Sequence, residues 1–272
     1  MTIFQSIILG IVQGLTEFLP VSSSGHLVLV PAFLGWKIPS DVAFIFDVLV
    51  QIATLVGVIA YFWVDLIKII SGFIKSLFRQ ESWQAEDARL GWMIIIATIP
   101  AGIMGVLIKD IIESAFSSPK AVGAFLIITA LILIAAERIG KQNRDLKTLN
   151  WKDALVIGFF QALAVFPGIS RSGSTICGGM VQHLHRKDAA RFSFLMSIPI
   201  MLAAGLMECI DLLQTPHVSQ WLPVFIPGFI VAAITGYLSI RWLLSFLNRH
   251  RLDYFSAYLI ILGLITLVVP IF

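Results

Sequence analysis

Charge is scarce in this chain. Only 13% of its 272 residues are Asp, Glu, Lys or Arg, about half the share of an average soluble domain. With 58% hydrophobic residues and a mean hydropathy of +0.93, the composition excludes a soluble globule. Apolar runs recur along the whole length, which also excludes a single anchor on a soluble domain. Cysteine is nearly absent: Cys177 and Cys209 supply no disulfide framework and are expected to pack as small apolar side chains. No Lys or Arg precedes Lys37, so the apolar start lacks the basic region of a cleavable leader. Low-complexity tracts are missing too. The pI near 9.0 comes from basic residues scattered through short loops, a pattern that serves membrane topology rather than nucleic acid.

Six segments, about 41–63, 90–109, 120–137, 189–208, 222–243 and 254–272, read as full spans, since a helix needs roughly 20 apolar residues to cross the hydrocarbon core. Two further apolar regions, 1–35 and 153–185, are interrupted by Pro, Gly and Ser. Each reads as a helix–break–helix hairpin that enters and turns back, although two tilted crossings would preserve the same parity. Irregular backbone at such depth is tolerated only inside protein or along a wet cavity. Loops 64–89, 138–152, 184–191 and 241–253 hold four, five, three and three Lys or Arg residues, against Lys37, Lys109 and Lys120 on the other side. The positive-inside rule places the first set in the cytoplasm. The first hairpin then opens outward and the second to the cytoplasm. Segment 64–79 is amphipathic and is expected to lie along the cytoplasmic interface.

The two broken regions are related. Gln13-Gly-Leu-Thr-Glu-Phe-Leu-Pro-Val-Ser-Ser-Ser-Gly25 aligns without a gap on Gln161-Ala-Leu-Ala-Val-Phe-Pro-Gly-Ile-Ser-Arg-Ser-Gly173, with Gln, Leu, Phe, two Ser and Gly identical. Related elements entering from opposite faces define an inverted-topology repeat, here 1–140 and 151–272 of a single integral domain, with a site expected where the broken helices meet. The fold class expected is therefore an all-α polytopic membrane protein with two broken re-entrant hairpins and about six full transmembrane helices.

The copies differ in charge: Glu17 stands against Val165, and Ser23 against Arg171. A charge within the bilayer costs about 2.5–3.5 kcal/mol even on the lenient insertion scale, so Glu17 and Arg171 need a reason to be there. A bare structural ion pair accounts for the two charges but not for the hydroxyls clustered around both breaks. Ser and Gly in membrane helices also serve plain close packing, and a lone His is commonly a structural hydrogen-bonding group. Asp47 and Gln51, four apart on the next span, either line a cavity or bond a neighbouring helix. The N-terminus of each returning half-helix presents free N–H groups and a positive dipole end, an anion site, and Arg171 adds a fork suited to phosphate oxygens. A phosphate-bearing ligand reached from within a membrane points to a lipid phosphate or diphosphate. Gln13 and Glu17, on one helix face, offer oxygen ligands for Mg²⁺ or Ca²⁺ bound together with phosphate. Glu17, Ser23 and His26 together could supply a base and a nucleophile.

At these residues the chain resembles the bacterial undecaprenyl-diphosphate phosphatase family, the bacitracin-resistance type. The resemblance rests on Gln13-x-x-x-Glu17 followed by Phe18-Leu19-Pro20-Val21-Ser22-Ser23-Ser24-Gly25-His26, on Pro167-Gly168-Ile169-Ser170-Arg171-Ser172-Gly173-Ser174-Thr175, and on Phe192-Ser193-Phe194-Leu195. It implies hydrolysis of undecaprenyl diphosphate to the monophosphate and inorganic phosphate, recycling the carrier lipid for peptidoglycan synthesis. It also implies a divalent cation, a multi-pass place in the bacterial plasma (inner) membrane, and bacitracin tolerance. The residue roles it implies are Glu17 as essential acid, Ser23 as nucleophile, His26 as acid/base or orienting group, and Arg171 as diphosphate clamp. Ser22, Ser24, Ser170, Ser172 and Thr175 are then expected to cradle the phosphates, and Gln13 with Glu17 to hold the metal. Gln13 stands where many relatives carry Glu, which lowers the charge of the site. The expected partners are a polyprenyl diphosphate and the membrane, with a homodimer left open and no nucleic acid. A transporter or flippase of a phosphorylated prenyl lipid would use the same anion site.

Overall fold

In the computed structural model the described residues are 1–78, 85–107, 119–166, 168–214 and 218–269. They form helices and connecting turns, with one isolated β-bridge between Arg144 and Leu184. The helices are α1 (Ile3–Phe18), α2 (Ser23–Phe33), α3 (Ser40–Tyr61), α4 (Trp63–Phe78), α5 (Glu86–Leu107), α6 (Pro119–Ile139), α7 (Trp151–Leu163), α8 (Arg171–Val181), α9 (Arg186–Gln214), α10 (Val218–Phe246) and α11 (Asp253–Val268). Five of them, α3, α5, α6, α9 and α10, are long and apolar enough to cross a membrane. The sixth expected span is α11, shorter at 16 residues; residues 270–272 of that segment lie outside the described residues, as does Lys109 of the topology argument. Large apolar side chains such as Leu15, Phe44, Ile99, Leu131 and Leu206 are exposed, the surface a lipid-facing protein needs. The chain is an all-α polytopic membrane protein.

Both interrupted regions are helix–break–helix. With 16, 11, 13 and 11 residues, α1, α2, α7 and α8 reach roughly 24, 16, 20 and 16 Å at 1.5 Å per residue, less than the ~30 Å hydrocarbon core. Pro20 explains the first break: Leu19, the residue before it, is extended (φ −67°, ψ 145°), as a following pyrrolidine ring requires. In the second copy the helix stops several residues before Gly168. It ends at Leu163, with Ala164 as the cap, and Gly168 beyond it has a φ of +96°, which only glycine adopts without strain. The same pre-proline restriction acts on Phe166; Pro167 itself lies outside the described residues.

Helix α1 lies along α10, which also packs on α3; α7 lies along α5, which also packs on α9. Helices α3 and α9 pack on each other, as do α6 and α11, and α8 is enclosed by α6, α7 and α9. The core behind the breaks holds Phe18, Leu29, Leu126, Ile176, Phe192 and Phe194, with Phe18 edge-on to Phe194 at 5.5 Å between centroids. A second cluster, including Leu9, Ile45, Phe46 and Phe225, joins α1, α3 and α10.

Two buried ion pairs tie the end of the bundle that carries most basic loops. Glu137, its side chain fully buried, accepts from Arg186 Nε and Nη2 at 2.8 and 2.6 Å and from the Leu252 amide at 2.7 Å. Arg144 donates to both oxygens of Asp153, at 3.2 and 2.7 Å, and to the carbonyl of Gln182 at 2.9 Å. It thereby joins the feet of α7 and α8, and the carboxylate hydrogen bonds raise its pKa above the ordinary value. Helix α4 packs on α5, where Trp92 Nε1 donates to Ser76 at 3.0 Å. Trp63, Ile67, Ile70, Ile74 and Leu77 form an exposed apolar stripe on its other side. Cys177 and Cys209 are free thiols.

Candidate active site

The tips of the two hairpins touch. Ser172 Oγ, beside the second break, donates to the carbonyl of Leu19 at 2.8 Å, and the Gly168 amide reaches Ser24 Oγ at 3.5 Å. This contact brings Glu17 and Arg171 together across 154 residues of sequence.

Glu17 is buried, and each carboxylate oxygen is engaged. Oε1 pairs with Arg171 Nη2, while Oε2 accepts from Ser23 Oγ at 2.5 Å and from Gln13 Nε2 at 2.9 Å. A carboxylate can only accept, so the amide nitrogen of Gln13 must face it. That leaves Gln13 Oε1 buried with no hydrogen-bond partner among the described residues. Gln13, Glu17, Ser23 and Arg171 thus form one connected network. The opposite charge of Arg171 offsets the desolvation of Glu17.

Each break is capped in the same way. Ser22 Oγ accepts from the Gly25 amide at 3.3 Å at the start of α2, and Ser170 Oγ from the Gly173 amide at 3.0 Å at the start of α8. Each cap also meets the hydroxyl two residues on, Ser24 at 3.3 Å and Ser172 at 3.2 Å. Two helix N-termini therefore converge on the Glu17–Arg171 pair, with hydroxyls from both sides. Ser22 has a φ of +69°, a left-handed conformation that costs a non-glycine residue about 1–3 kcal/mol. Its carbonyl accepts both the His26 amide at 3.2 Å and His26 Nδ1 at 2.7 Å, which holds it there.

His26 is buried and lies one step away from the network. Its Nε2 is 2.6 Å from Tyr258 Oη on α11. Thr175 is buried on α8, donating to the carbonyl of Arg171 at 2.8 Å and meeting Ser193 Oγ of α9 at 2.5 Å. Thr129 of α6 accepts from the Ser170 amide at 3.2 Å. Tyr258 and Thr129 escape sequence reasoning because each is one polar residue in an apolar run, whereas Ser193 stands in the Phe192–Leu195 motif without a role assigned to it. An intramembrane hydroxyl is a weak signal, since Tyr also anchors helices at the interface. Among the described residues Asp47 of α3 makes no hydrogen bond or ion pair with this network.

Residues 6–265 match the profile of the family described as bacitracin resistance protein BacA. The chain belongs to the BacA family. It is 44% identical over 278 residues to undecaprenyl-diphosphatase of Methanosphaera stadtmanae, covering 99% of this chain and 98% of that protein. With undecaprenyl-diphosphatase of Chlorobaculum tepidum it shares 43% identity, over 97% and 95% of the two chains. The protein of the same description from Myxococcus xanthus is 39% identical, over 98% and 89%. BacA membership thus extends over both broken hairpins and the bundle between them.

Proposed function

We propose that this BacA protein is an undecaprenyl-diphosphate phosphatase: it releases inorganic phosphate from undecaprenyl diphosphate, regenerates undecaprenyl phosphate for cell-wall synthesis, and thereby confers bacitracin resistance. The observation that carries the mechanism is Ser23 Oγ donating to Glu17 Oε2 at 2.5 Å, beside the guanidinium of Arg171. A nucleophile already bonded to a buried base is the arrangement of covalent catalysis.

The lipid's diphosphate binds between the hairpin tips while its tail stays in the bilayer. Amides at the starts of α2 and α8 and the spare N–H groups of Arg171 hold its oxygens, with the hydroxyls of Ser22, Ser24, Ser170 and Ser172 around them and Thr175 backing Arg171. Ser23 Oγ attacks the terminal phosphorus as its proton passes to Glu17. The bond from that phosphorus to the bridging oxygen breaks, and undecaprenyl phosphate leaves with the proton that Glu17 took from Ser23, which returns Glu17 to its carboxylate form. Water then hydrolyses the phosphoserine, with Glu17 as base, giving inorganic phosphate and restoring Ser23. Developing charge on the phosphoryl oxygens is met by fixed donors, the form of stabilisation that contributes most in such reactions. His26 acts through the carbonyl of Ser22 as an orienting group.

A divalent cation, Mg²⁺ or Ca²⁺, fits the orphaned oxygen of Gln13 next to Glu17. Among the described residues no group of three His, Cys, Asp or Glu side chains could hold a metal alone. This favours a cation that takes most of its ligands from the diphosphate, as Mg²⁺ commonly does. Bound there, it would neutralise phosphate charge.

The two halves, 1–140 and 151–272, act as inverted copies in the plasma membrane. The contact pattern supports this reading: α1 against α10 is matched by α7 against α5, and α3 against α10 by α9 against α5.

Purified protein supplied with a prenyl diphosphate tests the function by phosphate release, and trapping of phosphorylated Ser23 tests the mechanism. Near-normal turnover by Ser23→Ala removes the serine and leaves attack by water. A protein that binds the lipid and releases nothing is a carrier.

A further inference from the structure

We infer that Tyr258 is a positioning residue of this reaction, acting through His26 on the strained break that carries Ser23. The inference rests on the phosphatase reading above. A carbonyl can only accept, so His26 Nδ1 bears the proton shared with Ser22 O at 2.7 Å. In the neutral ring Nε2 is then the acceptor, and Tyr258 Oη donates to it at 2.6 Å. The two rings are near-parallel, 13° apart in plane with centroids 5.7 Å apart, so Tyr258 holds the plane of His26 and supports the tautomer that the Ser22 carbonyl selects.

The chain of contacts has a direction. Tyr258 on α11 orients His26; His26 ties down the Ser22 carbonyl through its ring and its backbone amide; Ser22 is left-handed at φ +69°; and the next residue is Ser23, whose hydroxyl meets Glu17. A left-handed serine persists only where its surroundings over-determine it. Without the phenol, the imidazole is free to change tautomer or rotate. The Ser22 carbonyl then loses its side-chain donor, and Ser23 loses its aim at Glu17. The hydroxyl of Tyr258 touches neither Glu17, Ser23 nor Arg171, so its effect falls on the alignment of the reacting groups rather than on the grip on the lipid.

Tyr258→Phe removes one oxygen and keeps the ring. In the phosphate-release assay with a prenyl diphosphate, the expected result is a kcat roughly three- to tenfold lower, the loss of one hydrogen bond, with KM unchanged within about twofold. Once His26→Ala is made, adding Tyr258→Phe produces no further loss, because both changes cut one chain. Tyr254→Phe, one turn earlier on α11 and exposed, keeps the wild-type rate. A Tyr258→Phe protein with wild-type kcat, a rise in KM at constant kcat, or losses that multiply in the double variant overturns the inference.

Nitrogen NMR of ring-labelled histidine, with His26 assigned by its disappearance in His26→Ala, reads the same step without turnover. The Nδ1–H tautomer is expected in the wild type and a mixed or inverted pattern in Tyr258→Phe; identical spectra refute the link. Should the wild type release no phosphate, the phosphatase reading fails in its own arm, and the spectra still decide whether Tyr258 sets His26.

Discussion

Substituting Gly14 by Ala separates helix packing from chemistry in one methyl group. Helix α1 carries Gln13 and Glu17 and lies against α10 through small residues, the mode by which membrane helices approach closely. A Cβ on Gly14 would stand 2.6 Å from the carbonyl oxygen of Ala232 and 2.8 Å from the amide of Gly236. Both are backbone atoms and cannot rotate aside, unlike the Thr235 side chain, which it also meets. Restoring an ordinary contact of about 3.4 Å requires α1 to move by roughly 0.6–0.8 Å, and such overpacking costs about 1–3 kcal/mol. Glu17 is three residues on, about 4.5 Å along the same rigid helix, so it moves with Gly14. Its partners Ser23 and Arg171 are held by other contacts. Misplacement by about 1 Å can reduce a rate a hundredfold; a fall in kcat of roughly 10- to 100-fold is expected, with a lower melting temperature in detergent. Gly102→Ala is the control, because among the described residues no atom outside its own stretch of helix lies within 4 Å of its Cβ position. Phosphate release and thermal unfolding of the two variants provide the measurement. A Gly14→Ala protein with wild-type kcat and stability would refute the claim that α1 sets Glu17 by its contact with α10.

Three further outcomes follow from the same geometry. Arg171→Lys keeps the charge but loses the planar fork, so kcat/KM should drop by about a hundredfold or more; wild-type turnover would exclude Arg171 as the clamp. Glu137→Ala strands Arg186 and the Leu252 amide at a buried pair and should destabilise the protein by about 3 kcal/mol, read as a lower melting temperature with KM unaltered. Chelation should abolish phosphate release and Mg²⁺ or Ca²⁺ restore it, with Gln13→Ala shifting the cation requirement upward; full activity in chelator would remove the cation from the reaction.

Much of this is legible in the sequence alone. Scarce charge and recurring apolar runs set the membrane class, because a lipid interior admits only helices or closed barrels and the runs have helical length. The repeated motif located both breaks, since Pro20 and the Ser-Gly clusters interrupt a helix for local steric reasons. The charge difference between the copies singled out Glu17 and Arg171, because an intramembrane charge is too costly to be idle.

Distance along the chain hid the rest. That Glu17 Oε2 takes Ser23 on one side and Gln13 on the other, while Oε1 takes Arg171, depends on how two hairpin tips meet. Side-chain spacing within one helix cannot report that. His26 stands three residues from Ser23, yet its ring turns to Ser22 and to Tyr258, 232 residues away. The left-handed Ser22 that turns it has no sequence signature, unlike Gly168. Composition and periodicity fixed the solvent and the places where helices stop; the packing of α6 and α11 behind the breaks decided which polar atoms share a hydrogen bond, because a bond of under 3 Å is set by the whole bundle and not by its neighbours in sequence.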